Sequence, residues 1–212
     1  MADTPVKLVL ASASPRRLAL LERIGLTPDL LNPADVDETA HKRETPRAYS
    51  VRLAADKAKA VLTMPRVTAL GGNVFVLACD TVVGLGRRIL PKAENPKQAE
   101  DCLWMLSGRS HWVYSTVCVV APGGHATSRC VETKVRFKRL SAEDVESYIK
   151  SDQWRGKAGG YAIQGRAEAF VRRLNGSHSA VVGLPLYETV HLLDGAGYPV
   201  HHTWMTRAPD GP

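Results

Sequence analysis

The sequence has few aromatic residues and lacks any long apolar run. Phe, Trp and Tyr make up 6% of its 212 residues, so little material is present for stacking the bases of a single-stranded nucleic acid. No run approaches the roughly 20 apolar residues that a helix needs to cross a bilayer. Residues 1 to 7 also lack a secretory signal pattern. We therefore expect a cytoplasmic protein with no membrane partner.

Cysteine and histidine motifs are missing as well. The four cysteines include no C-x-x-C pair, and the seven histidines include no H-E-x-x-H spacing. Neither a zinc knuckle nor a disulfide framework is indicated. The sequence also lacks the G-x-x-x-x-G-K-[ST] phosphate loop, which excludes a P-loop NTPase.

Positive charge is the strongest bias in the composition. The 28 Lys and Arg residues exceed the 21 Asp and Glu residues, giving a net charge of +7, which favours anionic ligands. No run of like charge reaches five residues, so nucleic acid is not the expected partner. The length and the absence of a long linker favour a single domain over residues 1–212.

An anion-binding corner is predicted where the first strand, Leu8 to Leu10, leads into an amphipathic helix. Ser14 precedes Pro15, which suits a first helical position, and Arg16 and Arg17 follow. A helix start offers unpaired N–H groups, and two guanidinium groups add charge there. The alternative is a pair of solvated first-turn charges. The helix dipole disfavours cations at this end by roughly 0.3 to 1 kcal/mol, which argues against that alternative.

A second helix, beginning at Thr45-Pro46, carries a lysine on its apolar side. At 100° per residue, Lys57 falls among the apolar residues between Tyr49 and Leu62. It must either extend outward along its aliphatic stem or meet an anion within the fold.

An aspartate follows the most apolar run of the chain. The run Val74 to Ala78 predicts a central strand buried on both faces, ending at Cys79-Asp80-Thr81. Open α/β sheets bind ligands beyond the carboxyl ends of their strands, so Asp80 is a candidate functional residue. The alternative is a buried aspartate that caps the following turn.

The remaining pattern predicts further helices and strands joined by short loops. In chain order these are an irregular segment over Leu26 to Ala40, a turn between short strands over Val82 to Leu90, a helix from Asn95-Pro96 to Ser107-Gly108, strands over Trp112 to Val120 and Cys130 to Phe137, a helix with an approximate capping box at Ser141 and Asp144, a glycine-rich segment from Gly156 to Gly165, a hairpin of Phe170 to Leu174 with Ser179 to Val182 around Asn175-Gly176, and a last helix over about Leu184 to Leu193.

Together these residues suggest phosphoanhydride hydrolysis. The cations suit phosphate groups, and the carboxylates, which include Glu38 in an acidic loop, suit a divalent metal and a water molecule.

The same residues carry a close resemblance to a known family. The motifs that match in order are Ala11-Ser12-Ala13-Ser14-Pro15-Arg16-Arg17, Val36-Asp37-Glu38, Arg52-Leu53-Ala54 through Lys57-Ala58, Asp80-Thr81-Val82, Leu106-Ser107-Gly108, Lys157-Ala158-Gly159, Ile163-Gln164-Gly165 and Val182-Gly183-Leu184-Pro185. The chain resembles the Maf family of nucleoside triphosphate pyrophosphatases from about residue 7 to residue 193. Residues 196–212 fall outside the match and are expected to be peripheral.

The resemblance implies an α/β fold with an elongated mixed β-sheet flanked by helices and two lobes around a central cleft. It also implies cleavage between the α and β phosphates with Mg²⁺ or Mn²⁺, and a homodimer. Carried over by motif, the catalytic residues are Asp80 as general base, Glu38 and Lys57, and the metal ligands are Glu38 and Asp80. The substrate-binding residues are Ser14, Arg16, Arg17, Thr81, Lys92 and Gln164, and Lys57 is expected to bind phosphates with the other cations.

Three positions favour the dTTP and UTP branch of the family. These are Arg16, Thr81 and Gln164; an amide offers both a donor and an acceptor to the imide edge of uracil or thymine. A 7-methyl-GTP or other modified-nucleotide pyrophosphatase and a nucleotide-binding regulator of septation are the alternatives. The chain departs from the family pattern at Pro91-Lys92-Ala93 and at Gly156.

Overall fold

The computed structural model describes residues 5–206 and shows one mixed β-sheet with helices packed against it. The predicted fold class, α/β with a mixed sheet flanked by helices, is confirmed. The strands are β1 (Lys7–Leu10), β2 (Leu30–Leu31), β3 (Val74–Leu85), β4 (Arg88–Leu90), β5 (Ser110–Val120), β6 (Ala126–Phe137) and β7 (Val171–Asn175).

The part of the chain that is described also contains eight α-helices, the last three of which follow β7. They are α1 (Pro15–Arg23), α2 (Pro46–Leu62), α3 (Pro65–Thr68), α4 (Pro96–Leu106), α5 (Ala142–Lys150), α6 (His178–Val182), α7 (Leu186–Gly195) and α8 (Val200–Thr206), with a 3-10 helix at Arg166–Phe170. Several starts follow the predicted caps: Thr45 and Asn95 accept backbone hydrogen bonds, and Ser141 with Asp144 forms the capping box. No helix within residues 5–206 is long and apolar enough to span a membrane.

Strand β3 organises the site because two short strands share one of its edges. Strand β5 pairs with β3 continuously from Val76 to Gly84 along one edge. On the opposite edge, β1 pairs with β3 in parallel only up to Leu77, and β4 pairs with it only from Val83 onward. Between those two points the edge of β3 carries no strand partner among the described residues. Asp80 and Thr81 lie in this notch.

Alternation along β3 sends these two neighbours to opposite faces of the sheet. Val76 and Ala78 pack with the buried residues of α2, so Asp80 points toward that helix. Leu77 and Cys79 belong to the larger core on the other face, which also contains the buried residues of α1, α4, α5 and α7. Thr81 shares that second face.

The prediction that the central strand ends at Cys79-Asp80-Thr81 is wrong. Strand β3 runs on for four residues beyond Thr81 to Leu85, and only Gly86 and Arg87 form the turn before β4. The turn predicted between strands over Val82 to Leu90 is present at Gly86-Arg87, and the strand before it is the continuation of β3. Continued pairing with β5 supports the extension, and this long-range contact leaves no mark in the local sequence.

The predicted hairpin around Asn175-Gly176 is also wrong. Strand β7 pairs with β6 instead, and the residues after Gly176 form α6. Ser177 explains the helix, because its hydroxyl accepts a hydrogen bond from the backbone N–H of Ala180. The helix predicted over Leu184 to Leu193 starts at Leu186 and is not the last one.

The tail is less peripheral than expected. Tyr198 and Val200 are buried, and the ring of Tyr198 meets that of Phe75 edge to face at 5.4 Å. Residues 207–212 of the predicted tail lie outside the described residues.

Candidate functional site

The notch in β3 opens onto a cavity of about 270 Å³. Its walls come from the β1–α1 loop, the start of α1, the acidic loop before α2, α2 itself, β3, the segment after β4, β5, the glycine-rich segment and the end of α6. All nine residues predicted for the site line it: Ser14, Arg16, Arg17, Glu38, Lys57, Asp80, Thr81, Lys92 and Gln164. The structure therefore brings together residues that are up to 150 positions apart in the sequence.

Arg16 carries a guanidinium group with unused hydrogen-bonding capacity. Its Nε atom is buried without a hydrogen-bond partner in the described part of the chain. Burial, and then the neighbouring charge of Arg17, lowers the pKa of Arg16. A buried donor without an acceptor costs about 1–3 kcal/mol. An anion that offers oxygen atoms to this side chain would remove that cost.

Arg17, in contrast, is held in place by protein oxygens. Its Nε donates to the carbonyl of Gly183 at 2.8 Å, and its terminal nitrogens reach the hydroxyls of Ser12 at 3.2 Å and Thr81 at 3.4 Å. Ser115 donates to the same Thr81 hydroxyl at 3.1 Å. Arg17 and Thr81 thus form one oriented unit on the wall of the cavity.

Ser14 occupies the cap position of α1, but its side chain does not cap the helix. Instead, the Ser12 hydroxyl accepts a hydrogen bond from the backbone N–H of Ser14 at 3.1 Å. The Ser14 hydroxyl makes no hydrogen bond to the rest of the described chain, and it is available to a ligand in the cavity.

Lys57 meets an anion within the fold, so outward extension of its side chain is excluded. Its ammonium group lies 2.6 Å from Oδ1 of Asp80 and 2.8 Å from Oε1 of Glu38. The side chains of Lys57 and Asp80 are only 9% and 4% exposed. Since buried charges persist only when paired, Lys57 and Asp80 each account for the presence of the other. Asp80 therefore is not a turn cap.

Lys92 completes a chain of alternating charges by pairing with Oε2 of Glu38. Burial alone would raise the pKa of Glu38, but its hydrogen bonds to Lys57 and Lys92 outweigh burial and lower that pKa to about 2. Glu38 is consequently ionised at neutral pH.

The backbone of Lys92 is fixed by the glycine-rich segment. Lys92 forms an antiparallel bridge with Ala158, and the backbone N–H groups of Ala93 and Gly156 bond across the same pair of segments at 3.1 and 2.8 Å. Gly159 has a φ of +66°, and a Cβ there would lie 2.9 Å from Val83. The departure at Pro91-Lys92-Ala93 therefore leaves Lys92 on the cavity wall.

The acidic loop that carries Glu38 is tied to α2 by two side chains. The Tyr49 hydroxyl donates to the backbone carbonyl of Glu38, and Arg52 donates to the carbonyl of Thr39 at 3.0 Å. Arg52 also holds Glu44 at the far end of the loop through two hydrogen bonds of 2.8 and 2.9 Å. The first turns of α2 thus position Glu38 above Lys57.

Apolar side chains form part of the cavity lining. They include Val83, Val113 and Val182, together with the ring of Tyr161. The Gln164 amide is exposed and makes no hydrogen bond within residues 5–206, so its donor and acceptor are both available. Apolar walls with one convergent amide are typical of a site for a flat heterocycle.

The donor set fits a magnesium or manganese ion only in part. No group of three or more His, Cys, Asp or Glu side chains suited to a metal exists among the described residues. Two carboxylates do line the cavity, and Asp80 Oδ2 accepts no hydrogen bond from any described residue. Mg²⁺ usually takes one or two carboxylates, with water and substrate phosphates as its other ligands. Glu38 and Asp80 meet that requirement when a phosphate is present.

Sequence reasoning missed several residues that shape the cavity. Ser12, Lys157 and Gly183 belong to motifs quoted above but were given no role, and Tyr49 and Tyr161 were not considered for the site. The motifs were a usable signal for the first three. Tyr49 has no such signal, because its role depends on where the acidic loop folds.

A family model and several curated proteins match most of the chain. A family model described as Maf-like protein matches residues 7–196. A protein of Mesorhizobium japonicum named dTTP/UTP pyrophosphatase is 54% identical, with 96% of this chain and 98% of the relative covered. Proteins of the same name from Rhodopseudomonas palustris and Nitrobacter hamburgensis are 57% and 55% identical, and each comparison covers 94% of this chain and at least 96% of the relative.

A solved structure from Mycobacterium abscessus, titled nucleoside-triphosphatase / dITP/XTP pyrophosphatase, is more distant. It is 18% identical, covers 65% of this chain and 77% of that chain, and has a TM-score of 0.37, a likeness too weak to carry an argument. The family model spans nearly nine-tenths of the chain, and the curated relatives span more than nine-tenths of it. The chain therefore belongs to the Maf-like protein family.

Proposed function

We propose that this protein is a nucleoside triphosphate pyrophosphatase that hydrolyses dTTP and UTP to the nucleoside monophosphate and pyrophosphate. The observation that carries the proposal is the composition of one cavity: an arginine without an acceptor faces the same space as a lysine-bound aspartate. The cations suit a triphosphate, and the carboxylate suits an attacking water molecule. The names of the curated relatives support the same substrates.

Each residue has a distinct task in this proposal. Arg16, Arg17 and Lys92 bind phosphate oxygens, and the Ser14 hydroxyl donates to them. Lys57 holds Oδ1 of Asp80 at 2.6 Å, which leaves Oδ2 to accept a proton from water as the general base. Glu38 and Asp80 would hold Mg²⁺ or Mn²⁺, and that ion would neutralise the phosphates and polarise their oxygens.

The base is bound at the Gln164 end of the cavity. The amide of Gln164 pairs with the imide edge of uracil or thymine, while the valines of the cavity lining exclude water. Arg17 and Thr81 are fixed by Gly183 and Ser115, so their donors are oriented before the nucleotide arrives.

We further propose that the protein acts as a homodimer, for which light scattering should give twice the chain mass.

A panel of nucleotides tests the substrate assignment. With Mg²⁺ present, kcat/KM for dTTP and UTP should exceed that for dATP, dGTP and 7-methyl-GTP by at least tenfold. Turnover of 7-methyl-GTP with dTTP and UTP untouched would place the protein in the other branch of the family. Binding of dTTP without any turnover would favour a nucleotide-dependent regulator.

Removing one hydroxyl should loosen the acidic loop. Tyr49→Phe deletes the hydrogen bond to the Glu38 carbonyl, which is worth about 0.5–1.5 kcal/mol, so we expect kcat for dTTP to fall about 2- to 10-fold. The Mg²⁺ concentration for half-maximal rate should rise with it, a change that a purely structural loss would not produce. Tyr114→Phe, a half-buried tyrosine outside the cavity lining, is the matched control. Equal effects of the two variants would show that the Tyr49 hydroxyl does not position Glu38.

A further inference from the structure

Two lysines occupy three of the four oxygens on the two candidate metal ligands. Lys57 contacts Oδ1 of Asp80 and Oε1 of Glu38, and Lys92 contacts Oε2 of Glu38. Only Asp80 Oδ2 accepts no hydrogen bond from the described residues. The carboxylates that would bind a divalent cation are thus already engaged by cations that belong to the chain.

The charge around these carboxylates opposes a second cation. Two ammonium groups balance two carboxylates, and the guanidinium groups of Arg16 and Arg17 line the same cavity. A divalent ion that enters alone meets a positive surrounding and only one unengaged carboxylate oxygen. A nucleoside triphosphate reverses that balance, because its phosphates bring several negative charges.

Lys92 is the lysine that can exchange its partner. Its side chain is 49% exposed and has one carboxylate, whereas Lys57 is 9% exposed and has two. The bridge to Ala158 fixes the Lys92 backbone, so its side chain can turn from Glu38 toward a phosphate without a loop movement. That turn would release Oε2 of Glu38.

We propose that Lys92 makes the metal site conditional on the nucleotide: the triphosphate draws Lys92 away from Glu38, and only then do Glu38 and Asp80 both become available to the ion. This inference rests on the proposed function for its choice of ligand. It assigns Lys92 two successive partners, the Glu38 carboxylate in the free protein and a phosphate oxygen in the complex. The divalent ion accordingly binds with the nucleotide or after it, not before it.

Binding of MnCl₂ to the full chain, measured by electron paramagnetic resonance of unbound Mn²⁺, tests the proposal without turnover. Without nucleotide, Lys92→Met should bind Mn²⁺ at least tenfold more tightly than the wild type, because Glu38 Oε2 is released. Lys92→Arg keeps the charge and should behave as the wild type does. Lys138→Met is the matched control. Lys138 pairs with Asp144 at 2.9 Å, its side chain is exposed to a similar extent as that of Lys92, and it does not line the cavity.

A second arm adds the non-hydrolysable analogue α,β-methylene-dTTP at saturation, with Mn²⁺ bound by the analogue alone subtracted. The wild type should then gain at least tenfold in Mn²⁺ affinity, while the gain in Lys92→Met should be much smaller. Equal Mn²⁺ affinity of the free wild type and free Lys92→Met would overturn the gating role, even if the wild type hydrolyses dTTP. If Lys92→Met binds Mn²⁺ more tightly but the wild type hydrolyses no nucleotide, the gating role of Lys92 is supported and the proposed function is rejected.

Discussion

Asp80→Asn should lower kcat for dTTP by about 10³-fold, within the range of 10²–10⁴ that general-base catalysis contributes. The amide keeps the volume of the carboxylate, but it cannot accept a proton from water. Lys57 retains Glu38 at 2.8 Å, so the fold should persist.

Steady-state kinetics with dTTP and a thermal melt of the same preparation check this expectation. Asp101→Asn is the control, because Asp101 is an exposed carboxylate on α4 that pairs with Lys97 at 3.0 Å and does not line the cavity. Full activity of Asp80→Asn would remove the general base from the mechanism and favour a role in binding alone.

Lys57→Met should destabilise the protein by about 3–5 kcal/mol in free energy of unfolding at pH 7. The reason is that Asp80, whose side chain is 4% exposed, would remain charged and buried without its partner. The double variant Lys57→Met/Asp80→Asn should recover a substantial part of that loss, because the uncompensated charge is removed with it.

Urea unfolding of the single and double variants measures the coupling between the two residues. Lys150→Met provides the contrast: Lys150 pairs with Glu146 at 2.7 Å, but both side chains are about 70% exposed, and such pairs are worth at most about 1 kcal/mol. If Lys57→Met cost no more than Lys150→Met, the ion pair would not be the buried interaction described above.

Local sequence signals predicted much of what surrounds the cavity. The start of α1 and the apolar side of α2 follow from Pro15 and from helical periodicity. Lys57 could be singled out because a charge on a buried helix face must be compensated. The sequence left its partner open, since Asp80 and Glu38 reach Lys57 from a distant strand and a loop.

The errors arose where pairing between distant segments decides the structure. Strand β3 continues past Asp80 because β5 pairs with it to Gly84, and the notch exists because β1 stops before β4 begins. Asn175-Gly176 is a strong hairpin signal, but the next residue, Ser177, caps helix α6. A single sequence does not show which of two such local signals prevails.

The unpartnered guanidinium of Arg16 shows a similar limit. Its position next to Pro15 predicted an anion site, but the missing acceptor is visible only in the folded chain. The structure also separates the two arginines: Arg17 is fixed by Gly183 and Thr81, and Arg16 is not. We therefore expect the side chain of Arg16 to change its contacts more than that of Arg17 when a ligand binds.

The identity of the first phosphate product tests the central claim most directly. Wild-type protein incubated with dTTP and Mg²⁺ should release dTMP and pyrophosphate in equal amounts from the earliest time points, with no orthophosphate and no dTDP, as resolved by ³¹P NMR. Release of orthophosphate with dTDP as the first products would contradict hydrolysis between the α and β phosphates, and with it the mechanism assigned to this cavity.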